Sequence, residues 1–426
     1  MTAIADQPLS RNRDFRTLLV SQSVSVLGDA VSATALPLLV FALTGSGLAM
    51  GVVGAVNLGA DLVFSLFAGA MADRGDRKRM MLLADAGRAA LTALIPLSDL
   101  LGGPTMAVIL LVAGPLAILR GFFRAGYLAA MPNLVGRSQL ARGNGILEIA
   151  FSASFIAGPA IAGFLVTIIG PGRTLAIDAA SFALSAAGLF LIRRELKAPA
   201  DRPASRVIDD IREAATYVFR DPVLRSAILL FAISGAALGP IGAAMTFRIV
   251  RDLGLSPGVF GLTLTGLGVG TLVGSVLATR LGPGADVRRA LILSVLVMGL
   301  PLAGLALVDS IPGLFVLTAF SGAGEAALTV MYVSTRAAHS PDALVGRIAS
   351  TARTVTLAFG PPASLIGGIS IDAIGGTATL AVFGLAVAVI GLAFTQVAGL
   401  RHASLAPRQA APGPILEADE GVGPQA

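Results

Sequence analysis

The chain is a succession of long apolar runs separated by short polar interruptions. A helix that crosses the hydrocarbon layer of a bilayer needs about twenty predominantly apolar residues. Runs of that kind cover 17–42, 48–72, 79–100, 105–129, 145–169, 174–193, 225–247, 256–279, 289–308, 312–335, 348–370 and 376–399. Twelve spans, an even number, put both termini on one side. Alternate interruptions are turn-like, as in Thr44-Gly45-Ser46-Gly47, Gly102-Gly103-Pro104, Gly170-Pro171-Gly172 and Gly375-Gly376. Such short loops make consecutive helices antiparallel neighbours.

One interruption is longer. Residues 194–224 divide the spans into two sets of six. Within it, Val207–Phe219 places Ile208, Ile211, Ala215 and Val218 at helical spacing. An amphipathic helix lying along the membrane surface or under the bundle is expected there. The expected divisions are an N-terminal six-helix bundle at 1–195, a linker at 196–224, a C-terminal six-helix bundle at 225–400 and a disordered tail at 401–426. The tail is rich in Pro, Ala and Gly.

Composition supports a membrane protein. Hydrophobic residues make up 55% and charged residues 13% of the 426, with a mean hydropathy of +0.83. A soluble domain carries about 25% charged residues. The polar stretches are too short for a soluble catalytic domain, which needs about fifty residues. With no Cys, disulfides and thiolate chemistry are excluded. His339 and His402 fall in polar segments and are expected to be solvated, so no metal site and no cofactor are expected. The N-terminus lacks the pattern of a cleaved secretory signal, so the first helix is expected to be retained.

The net charge of +6 is distributed by loop. About 25 of the 31 basic residues fall in the N-tail, alternate loops and C-tail, and about three (Arg173, Arg248, Arg251) in the opposite loops. That distribution predicts basic loops and both termini in the cytoplasm, and argues against nucleic acid as partner. The densest cluster runs from Asp73 to Arg79, six charges in seven residues between two apolar runs. Hydrocarbon does not accept such a cluster at depth, so it lies in a loop in water.

A repeat links the halves. Ile156-Ala-Gly158-Pro159-Ala-Ile-Ala-Gly163 in the fifth span has a counterpart, Ala358-Phe-Gly360-Pro361-Pro-Ala-Ser-Leu-Ile-Gly367, in the eleventh. The preceding loops also correspond: Pro132 to Arg137 and Pro341 to Arg347. The repeated unit is therefore six helices.

Several charges lie inside spans. Asp29 and Asp61 sit near mid-bilayer, where a charge costs at least ~2.5–3.5 kcal/mol and must face water or be protonated. Both are candidate proton or cation sites. Glu325, the acidic residue deep in the C-terminal half, is a further candidate for substrate contact or coupling. Asp85 and Arg88, three apart, and Arg120 and Arg124, four apart, each share a helix face. An ion network of Asp85, Arg88 and Arg124 pinning helix ends together is expected. Asp178 and Glu148 lie nearer span ends and are expected to have dipole or interfacial roles.

The loop after the second span resembles the signature of the major facilitator superfamily. In this sequence Gly69, Asp73, Arg74, Arg77 and Lys78 match, and Asp76 replaces a second glycine. Gly145, Gly158, Pro159 and Gly163 in the fifth span are similar to a pattern of drug antiporters, with Ser154 and Ala162 in place of two glycines. Leu116 and Arg120 resemble the first half of a fourth-helix motif of the efflux branch. Asn12 to Arg16, Leu27 to Asp29, and Ile177 to Phe182 are similar to the branch that includes macrolide and enterobactin exporters.

The resemblance implies an all-α integral membrane fold of twelve helices in two pseudo-symmetric bundles. It implies secondary active export, by proton antiport, of a drug, antibiotic, siderophore or other amphipathic metabolite. The coupling residues would be Asp29, Asp61, Glu325 and Arg120, and the loop at Asp73 would be a gate. A monomer in a bacterial inner membrane is expected, with a small-molecule substrate, protons and lipid as partners. No enzyme activity is expected, since no nucleophile–base pair can be assembled. The rivals are an uptake symporter on the same fold and a non-transporting receptor or lipid-handling protein.

Overall fold

The structure is a computed structural model that describes residues 8–136, 138–197, 207–282, 284–342, 344–403 and 405. Among these residues there is no β-strand, only helices and short connections. In lipid the backbone must satisfy its own hydrogen bonds, and a helix does this within one segment. The helices are α1 (Arg13–Thr44), α2 (Gly47–Arg74), α3 (Arg77–Leu100), α4 (Met106–Val135), α5 (Leu140–Ile169) and α6 (Pro171–Leu191). They continue as α7 (Val207–Arg220), α8 (Pro222–Ala237), α9 (Ile241–Thr246), α10 (Pro257–Thr279), α11 (Val287–Gly304), α12 (Ile311–His339) and α13 (Val345–Ala393).

The polar interruptions supply the helix starts. Side chains of Asn12, Ser46, Thr105, Asp221 and Asp286 accept backbone N–H groups in the first turns of α1, α2, α4, α8 and α11. Asp76 does the same for α3, accepting from Arg79 N at 3.1 Å. Its φ of −79° is ordinary, so the aspartate in the glycine position turns the chain without strain and caps the next helix as well.

Among the described residues, eleven helical stretches are long and apolar enough to cross a membrane. Two depart from simple spans. The run from Val345 to Ala393 has 49 residues, about 74 Å at 1.5 Å per residue, more than twice the roughly 30 Å hydrocarbon thickness. Gly375 breaks it with φ 82° and ψ 164°, so it makes two passes and brings the total to twelve. The seventh pass, Pro222–Asp252, is interrupted before Pro240 and ends in a π-helical stretch, Phe247–Asp252. On the other passes, outward side chains such as Ile149, Phe164 and Phe190 form the apolar exterior of a multi-pass membrane protein.

In one half α6 packs with α1 and α3, α4 with α2 and α3, and α5 with α1; in the other, α12 packs with α10, α11 and α8, and α13 with α11 and α8. The halves meet chiefly along two seams, α2 against α13 and α5 against α10. The buried apolar core shows how they meet. Near one end a single cluster joins both halves, with Leu38, Leu39, Ile109 and Val166 packed with Phe247, Phe260, Leu314 and Ile371. Near the other end each half has its own cluster, around Phe15, Met81 and Leu134 in one and Leu224, Met331 and Ile348 in the other. That second end carries Arg74–Arg79, Arg193, Arg194 and Arg347, and is called the basic end below. The first is the far end.

The linker helix α7 lies under the C-terminal half. Ala214 and Val218 are buried there, and Arg347 donates to Glu213 at 2.6 Å. The side chains of Ile208 and Ile211, and the tail from 406, lie outside the described residues.

Candidate functional site: a wedge between the halves

The glycines of α2 measure how the halves diverge. A methyl group on Gly51 would lie 2.5 Å from the Ser364 carbonyl oxygen of α13, and one on Gly54 3.2 Å from Ser364 Oγ. On Gly59 it would lie 3.9 Å from Pro361, and on Gly69 it would meet nothing within 4 Å. The seam is backbone-tight at the far end and open at the basic end. The α5–α10 seam closes at the same end: a methyl on Gly163 would lie 2.7 Å from Pro257 O, and one on Gly261 would press on Pro159 O. Phe41 and Phe247 add an edge-to-face contact with centroids 4.9 Å apart.

Two adjoining cavities lie in the wedge. One, of about 490 Å³, is lined by Gln22, Ser25 and Asp29 of α1, Arg120, Arg124 and Tyr127 of α4, and Asn144, Glu148 and Phe151 of α5. The other, of about 440 Å³, shares Val26, Glu148 and Phe151 and extends to Phe155 of α5, Gly268 and Thr271 of α10, and Glu325 of α12. The combined space has a basic wall from one half and carboxylates from both. Neither Glu148 nor Glu325 has a hydrogen-bond or ion-pair partner among the described residues.

The expected single ion network is corrected to two. In the first, Arg88 donates to Asp29 at 2.7 and 2.9 Å and to Asp85 at 3.0 Å. Its guanidinium lies 3.7 Å over the Phe182 ring and 5.7 Å from that of Phe123. Asp85 and Arg88 are buried, and Asp29 reaches the cavity. In the second, Asp61 accepts from Arg124 at 3.2 Å and from Arg353 of α13 at 3.3 Å, an ion pair between the halves. Arg124 therefore belongs with Asp61, because α4 presents it to α2 and not to α3. Arg120 donates to Asn57 of α2 at 2.5 Å and lines the first cavity.

Further placements differ from expectation. Asp178 is 1% exposed and accepts from Ser32 at 2.5 Å and Ser181 at 3.2 Å. It is a buried residue of the α1–α3–α6 packing, not an interfacial one. Glu148 faces the cavity instead of a helix end. His339 is buried in the last turn of α12, with Nδ1 3.0 Å from Thr335 O, and is not solvated. The sequence does not single out Arg353, which stands six residues into its span and groups with the loop residues by charge, nor Asn57, which has no charge to mark it.

Within the basic loop, Arg77 is buried, donating to Ala72 O at 2.9 Å and Asn133 Oδ1 at 3.3 Å. Lys78 donates to the carbonyls of Phe190 and Ile192 at the end of α6. These two residues tie α2, α3, α4 and α6 together, while Asp73 and Arg74 are exposed. In α5, Gly158 packs on Ala30 of α1, Pro159 and Gly163 pack on α10, and Gly145 faces open space.

Residues 4–423 match the family model of the transmembrane secretion effectors. Among curated proteins the chain is 26% identical over 387 residues to the multidrug efflux pump Tap of Mycolicibacterium fortuitum, covering 89% of this chain and 94% of that one. It is 25% identical over 370 residues to the enterobactin exporter EntS of Escherichia coli, covering 83% and 85%. Among solved structures, it superposes on a bacterial homologue of the lysosomal transporter Spinster, inward-facing and unoccupied. That match has a TM-score of 0.69 and 14% identity, over 92% of this chain and 98% of that one. It also superposes on the nucleoside transporter NupG with a TM-score of 0.71 and 13% identity, over 90% and 99%. At these identities the structural matches bear on the fold alone.

Proposed function

The chain belongs to the transmembrane secretion effectors, a family of major facilitator transporters, and on that premise we propose that it exports an amphipathic compound by alternating access, driven by inward proton movement. The observation that carries the reading is the wedge, whose two carboxylates without a partner among the described residues, Glu148 and Glu325, come from opposite halves. Relatives named as efflux pump and exporter support the direction. The basic end is cytoplasmic by the charge rule, so the wedge in this state receives its substrate from inside the cell.

Alternating access then has a concrete form. The halves, 1–195 and 225–400, rock about the cavity, opening the glycine seams at the far end and closing the loop at Gly69, Asp73 and Arg74 against the other half. Phe151 and Phe155 contact the apolar body of the substrate. Its polar groups meet either the Arg120–Arg124 wall or the carboxylates. Asp29, Asp61 and Glu325 take part in proton coupling, Asp29 as the ionised entrance beside Arg88 and Asp61 and Glu325 as carriers, and Arg120 orients Asn57 at the cavity wall.

The test is ethidium and anionic-dye transport in everted membrane vesicles, with and without a proton gradient. Gradient-dependent loading of the vesicles with at least one dye is expected, with Glu148→Gln and Glu325→Gln reducing it tenfold or more. Gradient-driven dye movement out of everted vesicles, the direction of an uptake symporter, would overturn the export reading.

A further inference from the structure

Behind the cavity wall, α1, α3 and α6 enclose three carboxylates around one guanidinium. Asp85 is 0% exposed and Asp178 1%, whereas the Asp29 side chain is 38% exposed, to the cavity. With all three ionised, one Arg88 leaves two negative charges uncompensated. An uncompensated buried charge costs several kcal/mol, and a buried carboxyl avoids it by taking a proton. Donors are scarce: Asp85 Oδ2 and Arg88 Nε are buried with no hydrogen-bond partner among the described residues.

The hydrogen bonds distinguish the three. Asp29 takes two bonds from Arg88 and Asp85 takes one. Asp178 takes none from it and is served by neutral hydroxyls, Ser32 Oγ at 2.5 Å and Ser181 Oγ at 3.2 Å, the latter shared with the Asp178 backbone carbonyl at 2.8 Å. Its neutral form costs least, because a protonated Oδ2 donates to Ser32 Oγ at the same separation once that hydroxyl turns round. Ser32 is half-buried and lies one turn beyond Asp29 on α1.

We propose that Asp178 is a proton-binding site, reached from the cavity past Asp29 through the Ser32 hydroxyl. A proton from cavity water converts the Asp178 carboxylate to the acid, and no bond other than that O–H forms. One negative charge then remains in excess, and it rests on Asp29, where cavity water screens it. The charged groups that face Asp178 are Asp29 from α1 and Arg88 from α3, and Arg88 in turn holds Asp85; α5 carries only Arg142 and Glu148, and Glu148 opens on the cavity. The site is also placed to sense α1. Gly28 lets α6 approach so closely that a methyl there would lie 2.1 Å from Ser181 Oγ and 2.7 Å from Asp178 Oδ1. A tilt of α1 during the transport cycle therefore changes the hydrogen bonds of the proton-bearing group directly.

As the proton of an antiport cycle, this assignment rests on the export reading above; its test does not. Infrared difference spectra of the purified full chain are recorded between acidic and alkaline buffer, with the proton as the only probe. A carboxylic-acid C=O band is expected in the wild type, lost in Asp178→Asn and retained in Glu148→Gln, Glu325→Gln and Asp61→Asn. Should Asp178→Asn not fold, Ser181→Ala is the second variant: loss of one donor shifts the frequency of the same band. An unchanged difference spectrum in Asp178→Asn, or in Ser181→Ala where that variant decides, overturns the assignment. Failure of vesicle transport with the band intact would instead remove the export reading and leave the proton site.

Discussion

The far-end seams are held by contact between backbones, so the smallest possible side-chain addition should shift the conformational balance. In Gly51→Ala the new methyl would sit 2.5 Å from Ser364 O and 3.1 Å from Gly368 Cα. Ordinary van der Waals contact begins near 3.4 Å, so α2 and α13 must separate by about 1 Å. Neither neighbour is a flexible side-chain tip. Forcing one extra carbon into such packing costs about 1–3 kcal/mol. In a far-end-open state the seam is parted and the cost vanishes. The ratio of the two states should therefore move about 5- to 150-fold toward far-end-open. The chain has no cysteine, so spin labels can be placed in pairs without removing any. Leu48 and Ile374, both exposed beside the seam, report the far end by pulsed electron resonance; Met71 and Val345, also exposed, report the basic end. Gly51→Ala should lengthen the first distance and shorten the second. Gly69→Ala should do the reverse, because its methyl meets nothing here but would be trapped when the basic end closes. Identical distance distributions in parent and Gly51→Ala would refute the idea that these seams set the balance.

Other outcomes follow from the charged groups. Arg88→Ala leaves Asp85 buried without its cation and Asp29 unpaired beside it, and should cost about 3–5 kcal/mol, seen as sharply reduced yield of folded protein in detergent. Arg353→Ala breaks one partly exposed pair, and Asp61→Asn breaks it together with the Arg124 pair; Asp61 is 18% exposed and Arg353 and Arg124 are 44% and 40%, so each pair is worth ~1 kcal/mol at most. Each substitution should move the thermal midpoint by only about 2–4 °C, yet lengthen the Met71–Val345 label distance. A protease site inserted after Gly75 should be cut in everted vesicles and protected in intact cells; cleavage in intact cells would reverse the orientation and the direction of transport with it.

The spans were legible because hydropathy reads depth: a run of apolar residues fixes how much chain lies in the hydrocarbon. It does not read azimuth. α1 is apolar nearly all round, so the sequence does not say whether Asp29 points to α3, to a cavity or to another half. Depth alone therefore groups Arg124 with Asp85 and Arg88, whereas its partner is Asp61 on α2. Asp178 shows the converse. Eight residues from the start of α6 looks shallow in sequence, but α1 and α3 cover that turn completely. The break at Gly375 was legible as a Gly-Gly turn, whereas the interruption at Pro240 was hidden inside an apolar run.

The repeat between α5 and α13 has a structural meaning that exposes an asymmetry. Gly163 of α5 sits on the first residues of α10, at Pro257 O and Gly258 Cα; Gly368 of α13 sits on the first residues of α2, at Gly47 O and Leu48 Cα. The two seams are thus the same joint with the halves exchanged. One turn beyond each glycine the chemistry differs. Thr167 in α5 turns its hydroxyl back to Gly163 O at 2.8 Å. Asp372 in α13 reaches across, accepting from Gly47 N at 2.5 Å, Leu48 N at 3.0 Å and Ser46 Oγ at 2.8 Å. It caps α2 from the opposite half, and its charge suits the positive end of that helix. Loss of such a cap costs about 0.5–2 kcal/mol, or about 2- to 30-fold in the population of the far-end-closed state. Opening this joint breaks the cap whereas opening its twin breaks no equivalent bond, so Asp372→Ala should lengthen the Leu48–Ile374 distance and Thr167→Ala should not. Equal responses in the two variants would mean that the cap is incidental and that glycine packing alone closes both joints.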